Sequence, residues 1–369
     1  MNITKLETIK LQFSPKNPPR DGLSSIKNRD VFLIRIHTDQ GISGIGEAFA
    51  LGSAHSLQQI IDEILSPLLI GEDPTSIEYL WDKMYKLTFR VGRRGIVLAA
   101  MSAIDIALWD LMGKLTNMPV YKLLGGYTNK VNAYASGGYY LKGKTVADLV
   151  TEAINYKKMG FKAMKMKIGG ASLSEDIERI SAVKDILGKD VRLAIDANNS
   201  YNINEALRLC KQIEDLDIMF FEEPISSDFI DNSSYLVNMT SIPIAGYETD
   251  YTRYSFKNII DKQAVNIVQT DVIWAGGISE CKKIATLAAT SGLKVIPHFS
   301  AGAVSLAANL HFSLSLSNCD WFEYTLDENP LRDELSLTPH SLKEGVLYVN
   351  DLPGLGIELN EDIVNKYRI

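Results

Sequence analysis

Asp196, Glu222 and Glu248 stand at matched intervals in the middle of the chain, 222 − 196 = 26 and 248 − 222 = 26 residues apart. Each follows an apolar run: Arg192-Leu-Ala-Ile, Ile218-Met-Phe-Phe and Ile242-Pro-Ile-Ala-Gly-Tyr. Runs of that length and composition describe buried strands. An interval of this size holds one strand, one helix and two loops, the βα repeat of a parallel sheet. Parallel strands end on the same side, so in a closed barrel the three carboxylates meet on the rim where barrel enzymes place their chemistry. Carboxylates brought together repel, and a hard divalent cation with oxygen ligands relieves the repulsion. The three acids therefore predict a Mg²⁺ site.

Polar residues at the other strand ends supply the rest of a reaction centre. Lys165 and Lys167 close the second strand, Asp271 follows the sixth, His298 ends the seventh and Glu323 lies on the eighth. Two residues apart on a strand, the lysines share a face. Each other's charge and a nearby cation lower their proton affinity, so one can serve as a base near neutral pH. His298 and Asp271, from adjacent strands, are expected to touch, with the carboxylate orienting the imidazole and raising its basicity. Lys167 and His298 then face each other across the barrel. Taken singly, each residue has a bland reading as a loop cap, a solvated acid, a surface lysine or a core histidine. The joint spacing after apolar strands overturns those readings.

Eight strands are expected, at Val131–Ser136, Ala163–Ile168, Val191–Asp196, Ile218–Glu222, Ile242–Gly246, Val265–Thr270, Lys294–His298 and Trp321–Tyr324, with amphipathic helices between most of them. Ahead of them lie a first strand, a Pro- and Gly-rich loop over Ser14 to Lys27 expected to be mobile, a hairpin at residues 31–49, and helical stretches from His55 to Leu124. The expected organisation is an α+β unit over residues 1–125, a barrel over 126–328, and a terminal segment, 329–369, folding back on the first unit. Asp105 and Asp110, on a helix away from the rim, read as structural. No phosphate-binding glycine fingerprint is present.

A net charge of −7 with no basic run argues against nucleic acid or an anionic membrane as partner and for a small molecule. Three scattered cysteines, 210, 281 and 319, suit reduced thiols and, with no basic-then-apolar leader, a cytoplasmic location. The longest apolar stretch, Gly95 to Gly113, is interrupted by two aspartates at helical spacing and reads as a core helix.

Lys165-Met-Lys167, Asp196-Ala-Asn198, Glu222-Glu-Pro224, Glu248, Asp271 with Gly276-Gly277, Pro297-His298 and Glu323 resemble the mandelate racemase subgroup of the enolase superfamily. Ala103-Ile-Asp-Ile-Ala-Leu-Trp-Asp110 and Pro353-Gly-Leu-Gly356 extend the likeness over essentially the whole chain. The resemblance implies a (β/α)₇β barrel capped by an α+β domain made from both chain ends, and a homo-oligomer. It implies one Mg²⁺ on Asp196, Glu222 and Glu248 that binds a substrate carboxylate, with Asn198 beside it. Lys167 or His298 would remove the proton alpha to that carboxylate, giving an enediolate. Lys165 would assist and Glu323 would donate a hydrogen bond as a protonated acid. Arg20, Arg93 and Arg94 are candidate contacts for the far end of the substrate. The lysine that muconate-lactonising relatives carry on the sixth strand is absent, which favours the racemase-like group, where dehydration of a sugar acid, aldonate or aldarate, to a 2-keto-3-deoxy acid is the leading expectation. Sugar-lactone cycloisomerisation or 2-hydroxy-acid racemisation is the alternative on the same site. A silent sugar-acid-binding barrel is the alternative of another class, disfavoured because it would have no need of either base.

Overall fold

The computed structural model describes all residues, 1–369. Strands β1 (Ile3–Phe13), β2 (Arg29–Thr38) and β3 (Ser43–Ala48) form an antiparallel meander. The helix Ile96–Thr116 lies against it, and glycines let it come close: a Cβ on Gly46 would sit 1.9 Å from the Ala103 carbonyl oxygen. This helix is long and apolar enough to cross a membrane, but 83% of its apolar window is packed inside the protein. The helical run expected over His55 to Leu69 is continuous but widens to a π turn at Ile60–Leu65. Pro67, with no N–H to give, follows directly, so a regular α ladder could not have continued through it.

Eight parallel strands follow: β4 (Lys130–Gly137), β5 (Ala163–Lys167), β6 (Arg192–Asp196), β7 (Ile218–Glu222), β8 (Ile244–Gly246), β9 (Ile267–Val268), β10 (Lys294–Val295) and β11 (Trp321–Thr325). They pair in chain order from β4 to β10, and β11 pairs back onto β4. Val295 N donates to Asn318 O at 2.9 Å beside the seam between β10 and β11. The lower barrel is plugged by Tyr134, Ala163, Ala194, Phe220, Ala245 and Ile296, so whatever stands above them on the same strands faces inward at the C-terminal rim. Capping boxes start two of the intervening helices, Thr145 with Asp148 and Asn202 with Glu205.

The terminal segment divides its contacts between the two units. Its hairpin, β12 (Ser341–Lys343) and β13 (Val346–Tyr348), joins β4 antiparallel and extends the barrel sheet. The rest of the segment returns to the first unit, where Val120 N donates to Gly354 O at 2.9 Å, Arg35 Nη2 to Glu361 Oε1 at 3.1 Å and Ile369 N to Lys10 O at 3.0 Å. Strand β4 still had an edge open to pairing, and the apolar Val346-Leu-Tyr face covers it.

Carboxylates from the first unit fasten it to the barrel. Glu47, buried on β3, accepts from Gly302 N and Ser305 N, both at 2.8 Å, at the start of the helix Ala303–Leu314. Asp105 accepts from Ser279 N at 2.9 Å in the first turn of the helix Gly277–Thr290. Each acid meets the positive end of a helix that follows a rim strand. Asp110 binds Ile45 N at 2.9 Å and Leu355 N at 2.8 Å, holding both chain ends.

Candidate active site

Strand register sets the first row of the site. Lys167 pairs with Asp196 across β5 and β6, and Asp196 pairs with Glu222 across β6 and β7. All three side chains are buried. Lys167 Nζ lies 2.5 Å from Asp196 Oδ2. One step deeper, Lys165 Nζ is held among three carboxylates, 2.7 Å from Glu222, 2.7 Å from Glu323 and 3.4 Å from Asp196. Glu248 is not in this row, because β8 ends at Gly246 and Tyr247 takes a left-handed turn (φ 70°). Its carboxylate instead comes within 3.6 Å of His298 Nε2. The other ring nitrogen, Nδ1, lies 2.9 Å from Asp271 Oδ2, so the expected His298–Asp271 contact is present. Asn198, Asn199, Glu223 and Tyr247 all adopt positive φ along this rim, a cluster of costly backbone conformations of the kind found around reaction centres.

Lys167, Asn198, Glu223, Glu248, His298 and Glu323 share a cavity of about 240 Å³. Its roof comes from the first unit, with Leu23 and Ile26 of the 14–28 stretch and Phe49 to Leu51 after β3. Phe49 stacks on Trp274 at 3.6 Å between ring centres, and Trp274 stands edge-on to His298 at 6.3 Å. The roof therefore packs against the wall beside the imidazole and helps to exclude water from it.

Among the protein groups alone, the balance of charge runs opposite to two expectations about protonation. Burial alone would lower both lysine proton affinities, but the Asp196 charge beside Lys167, and Glu222 and Glu323 beside Lys165, outweigh it and raise both. The mutual repulsion of the lysines is a smaller effect than their carboxylate partners. Glu323 was expected as a protonated donor. Here burial pushes its carboxyl up, yet Lys165 overrides that and holds it below the usual range. It accepts from Ser136 Oγ at 2.6 Å and Phe299 N at 3.2 Å. Burial lowers the His298 pKa, but the Glu248 charge and the Asp271 hydrogen bond raise it to about 10.

No three His, Cys, Asp or Glu side chains converge closely enough, as they stand, to grip one ion. Lysine ammonium groups cover Asp196 and Glu222, and Glu248 faces the imidazole. The donor set nevertheless suits Mg²⁺. Six buried carboxylates, Asp196, Glu222, Glu223, Glu248, Asp271 and Glu323, surround three cationic groups, Lys165, Lys167 and His298. Glu222 and Glu223 are pushed well above the usual carboxylate range by burial and by neighbouring acids. Glu248 Oε2, Glu223 Oε1 and Asn198 Oδ1 are buried oxygens without a donor. Hard oxygen acceptors with surplus negative charge fit a hard divalent cation.

The arginine expectations do not hold. Arg20 donates to Gly170 O at 2.8 Å and lies over the Tyr140 ring, outside the cavity. Arg93 covers Phe89, and Arg94 points toward Asp250 and Ser255. The arginine in the cavity wall is Arg29, which the sequence reading passed over, along with Tyr139, Gln269 and Asn309. Gln269 donates to Glu222 Oε2 at 2.6 Å. Asn309 Nδ2 donates to Asp271 Oδ1 at 2.9 Å. A signal for Asn309 was available: it is a polar residue inside the apolar helix Ala303–Leu314, with Ser305 one turn before it.

Residues 5–125 match the mandelate racemase / muconate lactonizing enzyme N-terminal domain, and residues 148–363 match the enolase C-terminal domain-like family. An arabinonate dehydratase from Saccharolobus solfataricus is 47% identical over 99% of both chains. The 3,6-anhydro-D-galactonate cycloisomerase from Zobellia galactanivorans superposes with a TM-score of 0.91 at 37% identity, covering 100% of both chains. A racemase from Streptomyces coelicolor, solved with bound magnesium, gives 0.92 at 28% identity over 100% of both. Matches over both halves, together with a capped barrel of this topology, show that the chain belongs to the mandelate racemase / muconate lactonizing enzyme family of the enolase superfamily, whose members bind Mg²⁺.

Proposed function

We propose that the protein removes the proton alpha to the carboxylate of a sugar acid and then expels the 3-hydroxyl, yielding a 2-keto-3-deoxy acid. The observation that carries this is the shared cavity with two basic side chains from distant parts of the barrel, Lys167 from β5 and His298 from the segment after β10, and with buried carboxylates beside them. Names of the relatives, an arabinonate dehydratase and an anhydrogalactonate cycloisomerase, support a hydroxylated acid as substrate. Asp196, Glu222 and Glu248 would hold one Mg²⁺, which supplies positive charge for the second negative charge that builds on the substrate carboxylate. Lys167 or His298 would take the α-proton, with Asp196 and Glu248 given over to the metal and so no longer raising the proton affinity of either base. His298, its Nδ1 fixed by Asp271, presents Nε2 to the cavity and returns a proton to the departing hydroxyl, so that water leaves and the enol rearranges to the ketone. Lys165 stays charged between Glu222 and Glu323 and keeps that wall in place. Asn198, with its unpartnered Oδ1, sits beside the metal and substrate. The same reading divides the chain into a cap, residues 1–125 closed by the terminal segment, and the barrel, with the 341–348 hairpin assigned to the barrel.

Incubating the protein with a library of sugar acids and Mg²⁺ and assaying for 2-keto-3-deoxy products tests the proposal. Product from at least one acid is expected, and a product isomeric with its substrate, rather than dehydrated, would favour cycloisomerisation or racemisation on the same site. Neither outcome across a broad panel would leave only a silent binding barrel.

A further inference from the structure

Arg29 is the one cationic side chain lining the cavity apart from the two bases. It enters from the start of β2 and is 8% exposed. Its Nη2 is ion-paired with Asp327, its Nη1 donates to Ser300 Oγ at 3.1 Å, and its head group lies beside the Tyr139 hydroxyl. Nε remains buried without a partner. Asp327 also accepts from Arg332 at 3.3 Å, and Arg332 reaches Asp333 at 2.8 Å. Two arginines and two aspartates thus close a balanced set. The other cations facing the cavity are paired as well, Lys167 with Asp196 and His298 with Asp271. On the roof side the remaining charged residues are acids, Asp21 and Asp30.

We propose that Arg29, neutralised by Asp327, is the specificity-determining residue for the far end of the substrate, presenting a guanidinium whose charge is already balanced to a neutral hydroxyl or ring oxygen. The site then accepts sugar acids with one free carboxylate and rejects those with two. This inference rests on the sugar-acid reading above. A single carboxylate has its cation in the metal. A second one would leave water to meet Asp21 and Asp30 with no unpaired cation to receive it, and an unpaired buried charge is strongly disfavoured. A hydroxyl can exchange hydrogen bonds with the wall and introduces no charge. Ser24, Asn28, Ser300 and Asn329 line the same cavity and offer further neutral partners.

The test compares kcat/KM for five- and six-carbon aldonates with kcat/KM for aldarates of matching configuration, in Mg²⁺. The wild-type protein should favour the best aldonate over its matching aldarate by about 100-fold or more. Asp327→Asn keeps an oxygen acceptor for both arginines but leaves one positive charge unbalanced; it should raise the aldarate-to-aldonate ratio at least about 10-fold. Arg29→Met should raise KM for the aldonate with a smaller change in kcat, and should give no gain on aldarates. If Asp327→Asn fails to fold, the wild-type ratio and Arg29→Met decide. Comparable wild-type turnover of both classes, or an unchanged ratio in folded Asp327→Asn, would overturn this inference alone. No turnover of either class would overturn the sugar-acid reading and this inference with it.

Discussion

Replacing Asn309 by leucine isolates the support of one proposed catalytic group from the rest of the site. Asn309 is fully buried and touches no part of the cavity. Its Nδ2 donates to Asp271 Oδ1 at 2.9 Å and its Oδ1 accepts from Val272 N at 3.3 Å. Asp271 Oδ1 keeps one other donor, Ile273 N at 3.1 Å, while Oδ2 faces His298. The amide therefore fixes which edge of the carboxylate meets the imidazole. A hydrogen bond to a charged group is worth about 1.5–3 kcal/mol. If that much is lost from the orientation of His298 in the transition state, dehydration slows about 10- to 150-fold. KM should change little, because binding depends on the metal and the cap. With substrates whose α-proton faces Lys167, exchange of that proton with D₂O should persist while loss of the 3-hydroxyl slows. Proton exchange followed by NMR, beside a keto-acid assay on the same samples, reads both steps. Equal losses in the two would mean general collapse of the site, and no loss in a folded variant would mean that Asp271 orients His298 unaided; either refutes the reasoning.

Three further outcomes are expected. Adding Mg²⁺ to chelator-treated protein should raise Tm, by the equivalent of about 2.7 kcal/mol at a hundredfold excess over Kd, and Glu222→Gln should abolish most of the shift in a scanning fluorimetry titration. His311 and His340 are neutral in the fold, each with Nδ1 accepting a backbone N–H, from Tyr121 and Asn350. Burial lowers their pKa values to about 3 and about 4. The unfolded chain protonates both rings below about pH 6.5, so their contribution is intact above that pH and declines as pH falls toward 4, at up to about 1.4 kcal/mol per unit for each. Urea unfolding of His340→Gln should show a shallower decline; an unchanged slope would count against it. Gly277 has φ 91°, and a Cβ there would lie 2.3 Å from Asp105 Oδ2. Gly277→Ala should lose about 2–4 kcal/mol of stability from strain and overpacking, and a loss under about 0.5 kcal/mol would show that the cap–barrel joint yields freely.

The barrel was legible because its strands are short apolar runs ending in polar residues, a pattern that survives without tertiary information. Ala163–Lys167, Arg192–Asp196 and Ile218–Glu222 start and stop within a residue of where periodicity sets them. The row Lys167, Asp196, Glu222 follows from parallel register. What was not legible depends on the third dimension. Lys165 and Lys167 were read as repelling each other, but the carboxylates beside them outweigh that repulsion, and only packing reveals the distances. Glu248 leaves the row because Tyr247 turns the backbone, a conformation that no residue type in Gly-Tyr-Glu announces. Arg20 lay in a loop of the right character, yet Arg29, at the start of a strand, is the residue that reaches the cavity. That the 341–348 hairpin would join β4 was not legible either, because an apolar pattern says that a strand pairs and not with which edge.

Ionisation of a carbon acid in this cavity is the step on which the proposed reaction depends. Sugar acids should be incubated with the protein and Mg²⁺ in D₂O and the α-proton resonance followed. Loss of that signal for at least one acid is predicted, slowed by Lys167→Ala or His298→Ala according to the face attacked and abolished when both are replaced. Retention of the α-proton across the panel by folded, Mg²⁺-loaded protein, or undiminished exchange in the double variant, would contradict it.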